Sequence, residues 1–263
     1  MLKINNLYKS FHSELGNEKK VFRGLDFQLD HGDFVSVIGS NGAGKSTLLN
    51  IIMGNIEPDN GSLFIEDQDF TKLPNYKRNA FISKVYQDPS LGTAPSMTIF
   101  ENLSMADNKG KRFNLTLGLN KKRKKFYRDT LSQLGLGLED QLDTEVGLLS
   151  GGQRQCLALI MATLNRPKML LLDEHTAALD PQTSKLIMEK TKTIVEHYKI
   201  PTLMITHNLN DAIKYGNRLI MLHEGKIILD FTGEEKNNLT PEKLLKIFHN
   251  KNTTIKDDEL FSL

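Results

Sequence analysis

One segment constrains this chain more than any other: Gly39-Ser40-Asn41-Gly42-Ala43-Gly44-Lys45-Ser46. The spacing Gly-x4-Gly-Lys-Ser makes a loop whose successive backbone N–H groups point at one anion, because glycine accepts the turn without steric penalty. Before it, Phe34-Val35-Ser36-Val37-Ile38 reads as a buried strand, and after it the pattern predicts a helix from Lys45 to Met53 closed by Gly54. That helix directs its positive N-terminal end at the same anion. Lys45 is expected to reach the β- and γ-phosphates and Ser46 to ligate Mg²⁺, with Thr47 beside them in the first turn. A strand, this loop and a helix in that order imply a nucleotide-binding α/β protein.

Apolar runs followed by helical patterns recur along the chain, the mark of βα units and a parallel sheet. Lys168-Met169-Leu170-Leu171-Leu172 is a second strand, apolar enough for burial on both faces. Asp180-Pro181 supplies an N-cap with proline at the first helical position, predicting a helix to about Lys199. Thr202 to Thr206 is a third strand. Arg218 to Leu222 and Ile227 to Asp230 form a hairpin about His223-Glu224-Gly225-Lys226. From Asp88 to about Arg166 strand character gives way to helices with polar, glycine-spotted joints, which reads as a helical insert. Within it, Asn114 to Arg128 carries the run Lys121-Lys122-Arg123-Lys124-Lys125. Such a run is a solvated helix face, an anionic-membrane contact or a nucleic-acid contact. The tail from Glu234 offers one short helix, Pro241 to His249.

Composition narrows the class. The 263 residues, 39% hydrophobic and 25% charged, describe an ordinary globular chain rather than a disordered or fibrous one. A net charge of +2 gives no argument for nucleic acid. One cysteine cannot form an internal disulfide, no apolar stretch follows Lys3, and no run approaches the ~20 apolar residues of a membrane helix. The expectation is a cytoplasmic protein with a reduced Cys156, read as a small buried apolar residue.

Two further elements carry chemistry. Met169-Leu170-Leu171-Leu172-Asp173-Glu174 ends in two carboxylates at the C-terminal end of a strand, where parallel sheets bind ligands. Asp173 is expected to hold Mg²⁺ through water, and Glu174 to polarise the water that attacks the γ-phosphate. Upstream, Leu149-Ser150-Gly151-Gly152-Gln153 opens a helix, and its glycines and serine make a second anion site from backbone donors and a hydroxyl.

Together these elements resemble the signature of the ATP-binding cassette superfamily, and the resemblance extends from Leu2 to about Asp230 in family order. It implies a P-loop NTPase: a RecA-like α/β core over 1–87 and 162–233, a small antiparallel β part, an inserted helical subdomain over 88–161 and a short tail over 234–263. It implies that Phe11 stacks on adenine, with Tyr8 a competing candidate. Gln87 would contact Mg²⁺ and the attacking water, Ala178-Leu179-Asp180 would touch a second subunit, and His207 would be the switch histidine near the γ-phosphate. The plainer readings are a core Phe11, a turn Gln87 and a core His207.

By the same resemblance, Ser150, Gly151, Gly152 and Gln153 complete the nucleotide site of a second copy, so two ATP molecules lie in a two-fold, head-to-tail dimer. Separate permease subunits would be met through Pro89 to Leu103, and a solute-binding protein only indirectly. The chain would lie peripherally on the cytoplasmic face of the cell membrane, with no nucleic-acid partner. An importer of an amino acid or similar small solute is the favoured class. An exporter with a separate permease and a soluble non-transport ATPase of the same superfamily are the alternatives. The chain departs from the family at His175, where proline is usual, and at Cys156 and Met161, where many relatives carry arginine. His175 beside Glu174 is expected to make turnover pH-sensitive between about pH 6 and 8. The other two are expected to alter packing.

Overall fold

Alternating apolar residues and strong turn chemistry lay down the first elements of the computed structural model, which describes residues 1–12, 18–110 and 121–251. In chain order they are β1 (Leu2–His12), β2 (Glu18–Leu29), β3 (Phe34–Ile38), α1 (Lys45–Met53), β4 (Asn60–Ile65), β5 (Gln68–Asp69), α2 (Asn75–Arg78) and β6 (Ile82–Val85). There follow α3 (Ile99–Asn108), α4 (Lys124–Ser132), α5 (Gly151–Thr163), β7 (Met169–Asp173), α6 (Pro181–Tyr198), β8 (Thr202–Ile205) and α7 (Leu209–Lys214). The last elements are β9 (Arg218–His223), β10 (Lys226–Thr232), α8 (Gly233–Asn237) and α9 (Pro241–Lys251). The chain divides into two compact units, Met1–Arg78 with the chain from Lys199 onward, and Asn79–Tyr198.

In the first unit, β1 pairs antiparallel with β2 and with β4, so that Leu2 faces Leu29 and Ile4 faces Phe27. This is the small antiparallel part expected from the sequence. The nucleotide-type core has β3 parallel to both β8 and β9, with β10 antiparallel on β9. All five residues of β3 are buried, as its unbroken apolar run requires. Helix α1 ends as read, with Gly54 in the left-handed region at φ 76°.

A residue that the sequence did not flag closes α1. The Arg78 guanidinium, 1% exposed, donates to the carbonyls of Ile51 at 2.7 Å and Ile52 at 2.9 Å, and also to those of Leu73 and Thr71. It thereby satisfies orphan carbonyls at the negative end of the helix.

The tail needs a correction, because α8 precedes the single helix expected there. Lys236 on α8 is 2% exposed and donates to the carbonyls of Ile213 at 2.5 Å and Tyr215 at 3.2 Å. Burial pulls its pKa down to about 8. Leu239, Leu244 and Phe248 join Ile38, Leu219 and Met221 in one apolar cluster, so this segment is part of the core.

In the second unit β6 runs parallel to β7, pairing Lys84 with Leu171 and Val85 with Leu172. Helices α3 to α6 enclose a core that includes Leu103, Tyr127, Leu131, Leu157 and Ile187. The capping box of Thr98 with Glu101 starts α3, and Asp180 Oδ1 accepts from Gln182 N and Thr183 N to start α6. Part of the basic run is committed internally. Arg123 pairs with Asp107 at 2.7 Å, and Lys124 pairs with Asp143 at 2.8 Å. Residues 114–120 of the helix expected there lie outside the described residues. Among the described residues, no helix is long and apolar enough to cross a membrane.

Candidate functional site

In the first unit, the parallel pairing of Val37 with Ile205 brings the ends of β3 and β8 to the same sheet edge. The Gly39–Ser46 loop leaves β3 there, and His207 follows β8. Two glycines fit only without a side chain. A Cβ on Gly39 would lie 2.0 Å from the Leu222 carbonyl oxygen, and one on Gly44 would lie 2.9 Å from the Phe22 ring. Gly225 N donates to Ala43 O at 3.2 Å, so the β9–β10 turn braces the loop from outside.

Helix α1 begins without a side-chain cap, and its first turn holds no acidic residue. Its leading N–H groups therefore have no cap from the helix's own first turn and are oriented to receive an anion. The Lys45 ammonium, on a residue 9% exposed, donates to Gly39 O at 2.5 Å and Ser40 O at 3.0 Å. A buried cation beside an uncapped helix start is a fit for a polyphosphate. Asn41, Gly42 and Ser46 are exposed, Thr47 is half-buried, and Ser40 Oγ lies 3.5 Å from His223 Nδ1. Phe11 and Tyr8 are each 39% exposed, so neither is a core ring. The Lys9 ammonium lies 5.5 Å from the Phe11 ring centre.

In the second unit, the register of β6 and β7 places Gln87 and the pair Asp173–Glu174 at the carboxyl edge of both strands. Gln87 is exposed, while Asp173 and Glu174 are half-buried. Glu174 takes φ 47°, a left-handed conformation that costs a non-glycine residue about 1 kcal/mol and that clusters at functional sites. The Asp173 carboxylate pairs with the Lys84 ammonium at 2.7 Å. Gln155, 1% exposed, donates from Nε2 to Tyr86 O at 3.0 Å and ties α5 to the backbone just before Gln87. Sequence reasoning passed over Lys84 and Gln155. A lone lysine inside the apolar strand Ile82-Ser83-Lys84-Val85 was the available signal, since a buried cation demands a partner.

Ser150 caps α5: its Oγ accepts from Gln153 N at 3.2 Å while Gln153 Oε1 accepts from Ser150 N at 3.1 Å. The cap uses Ser150 as an acceptor, and a hydroxyl still carries a donor. Gly151 is exposed. Gly152 has a packing reason as well, for a Cβ there would lie 2.3 Å from Thr183 Cγ2 on α6. Cys156 is fully buried and its thiol is pushed up to about 12, so it packs as an apolar residue. Among the described residues, no cluster of three His, Cys, Asp or Glu side chains could hold a metal ion by itself.

His175 departs from its expected behaviour. The ring is 2% exposed and Nε2 lies 3.3 Å from Thr191 Oγ1. Thr191 Oγ1 donates to Ile187 O, so the imidazole donates to the threonine. Burial lowers its pKa from 6.5 to about 4, which leaves it neutral between about pH 6 and 8 and removes it as a source of pH-sensitive turnover. The pH effect moves to stability. Between pH 6.5 and about 4 the unfolded chain takes up a proton that the folded chain refuses. Folding therefore weakens as pH falls through that window, by about 3 kcal/mol in all. His175→Gln keeps a donor for Thr191 and does not titrate, so its Tm should fall less than the wild type's between about pH 6.5 and 4.5. Identical acid dependence of the two melting curves would refute this.

A glycine-rich phosphate loop between a buried parallel strand and an uncapped helix, in a chain that also ends a parallel strand in two carboxylates, defines a P-loop nucleotide-binding protein. Residues 22–177 match the ABC transporter family. Over 248 residues the chain is 52% identical to the tyrosine transport ATP-binding protein of Clostridioides difficile, covering 94% of this chain and 98% of that one. It is 31% identical over 238 residues to the spermidine/putrescine import ATP-binding protein PotA of Mycoplasma mycoides, covering 89% of this chain and 62% of that protein. Among solved structures, the dimeric cassette MJ0796 in a post-hydrolysis state with ADP and Pi matches at TM-score 0.75 and 28% identity, covering 88% of this chain and 98% of that one. The chain belongs to the ABC transporter family as its ATP-binding subunit, an ATPase that works with ATP and Mg²⁺.

Proposed function

We propose that this subunit powers the import of tyrosine or a chemically similar amino acid through separate permease subunits at the cytoplasmic face of the membrane. One observation carries the reading: likeness to the tyrosine transport ATP-binding protein runs at 52% identity through 98% of that protein's length. A shared catalytic domain alone would give high identity over the motifs and lose it elsewhere.

In this reading Phe11 offers its exposed ring to the adenine, and the Gly39–Thr47 loop holds the phosphates through backbone N–H groups and the Lys45 ammonium. Ser46 would ligate Mg²⁺, Asp173 would hold it through water, and Gln87 would contact it and the attacking water. Mg²⁺, when bound, neutralises charge on the phosphates as the terminal bond breaks. Glu174 accepts a proton from the attacking water, and His207 stabilises charge at the terminal phosphate. Catalysis is positioning and electrostatics.

Two copies of the chain close on two nucleotides, Ser150 to Gln153 of each meeting the ATP held by the other, as the dimeric state of MJ0796 supports. The segment Pro89 to Leu103 meets the permease. A core over 1–87 and 162–233 with a helical insert over 88–161 is the division that suits this coupling.

Deletion of the chain from its host should cut uptake of radiolabelled tyrosine at least tenfold, with recovery from the wild-type chain and none from Lys45→Ala. Tyrosine uptake that survives the deletion would overturn the assignment of cargo.

A further inference from the structure

The strands β6 and β7 place one cation where the motif alone gives no reason to expect it. Side chains alternate along a strand, and Lys84 pairs in register with Leu171, so Lys84 and Tyr86 share a face with Leu171 and Asp173. The Lys84 side chain is 6% exposed and its Nζ lies 2.7 Å from Asp173 Oδ2, whose side chain is 20% exposed. The same ammonium lies 4.8 Å from the centre of the Tyr86 ring. Burying an ammonium is costly without a paired charge, and little water reaches this one to screen it. It is therefore a fixed charge held between a carboxylate and a ring face.

We propose that Lys84 is the resident counter-ion of Asp173, holding the carboxylate in place without metal and lowering its attraction for a free divalent cation. This rests on the reading of Asp173 as a metal-facing group. An incoming cation meets a carboxylate with one oxygen already neutralised and a positive charge close behind it. A cation that arrives with nucleotide phosphates brings its own compensating negative charge and suffers less. Lys84 thus favours the metal–nucleotide complex over the bare ion. The Tyr86 ring gives the ammonium a second contact when Asp173 turns toward metal, so the cation stays buried without being stranded. Lys84 touches neither substrate nor metal, which makes it a positioning residue.

The test is Mn²⁺ binding to the full chain without nucleotide, followed by the electron paramagnetic resonance of free Mn²⁺. Lys84→Met and Lys84→Gln should each lower the Kd for Mn²⁺ by about tenfold, the scale on which one neighbouring charge shifts a carboxylate's affinity for a cation. Lys84→Arg should stay within about twofold of wild type, because the charge is retained. Unchanged or weaker Mn²⁺ binding by a Lys84→Gln or Lys84→Met chain with native circular dichroism would overturn the proposal. Asp173→Asn separates the two readings. If it leaves Mn²⁺ affinity untouched, the assignment of Asp173 fails; if it weakens binding while Lys84→Gln changes nothing, the counter-ion role alone fails.

Discussion

Glu174→Gln should bind Mg-ATP normally and hydrolyse it about 10²–10⁴-fold more slowly than the wild type, the loss expected when a general base is removed. Glutamine keeps the length and hydrogen-bonding reach of glutamate but cannot accept the proton of the attacking water. The backbone at residue 174 already sits in the left-handed region at φ 47°, and glutamine tolerates that conformation about as well as glutamate does. The substitution therefore isolates the charge. In the proposed reading, affinity for ATP rests elsewhere, on the phosphate loop, Lys45 and the exposed Phe11 ring. Nucleotide that binds only the closed pair stabilises that pair by mass action. With Mg-ATP the variant should elute at about twice the 29.7 kDa of one chain, while the nucleotide-free protein elutes as a monomer. Wild-type turnover in this variant would remove Glu174 from the role of base. An inactive variant that stays monomeric at saturating ATP would show that the sandwich needs the permease to form.

Lys45→Ala should lose hydrolysis by 10²-fold or more and weaken ATP binding by roughly ten- to a hundred-fold, the range for charge-assisted hydrogen bonds and a fixed transition-state charge. The structure adds a second reason for the loss. The ammonium donates to Gly39 O and Ser40 O, so it also braces the start of the loop. Lys45→Arg tests this directly, because it keeps the charge while its planar fork cannot repeat both contacts within a buried loop. Its ATP affinity should fall between those of the wild type and Lys45→Ala, as read by equilibrium binding of a fluorescent ATP analogue. Wild-type binding and turnover in Lys45→Ala would remove the loop from the active site.

Much of this protein was legible in the sequence because the relevant physics is local. The loop Gly39–Ser46, the unbroken apolar run of β3, the Asp180-Pro181 helix start and the Gly54 helix stop each depend on residues close together in the chain. Backbone sterics, capping and side-chain periodicity act over a few residues, so the elements follow from their own sequence. Only the tertiary structure decided the environments. Lys84 draws no notice in the sequence until β7 brings Asp173 to it, and Arg78 none until it closes α1. His175 reads as a titrating neighbour of Glu174 until burial against Thr191 holds it neutral. Gly152 reads as an anion-binding glycine, and packing against Thr183 gives it a second, independent reason. Lys236 looks like part of a polar tail until the carbonyls of Ile213 and Tyr215 take it inside. In each case the charge or space around a side chain is set by a segment remote in sequence. Desolvation and Coulomb energy depend on distance in space, which no local pattern contains.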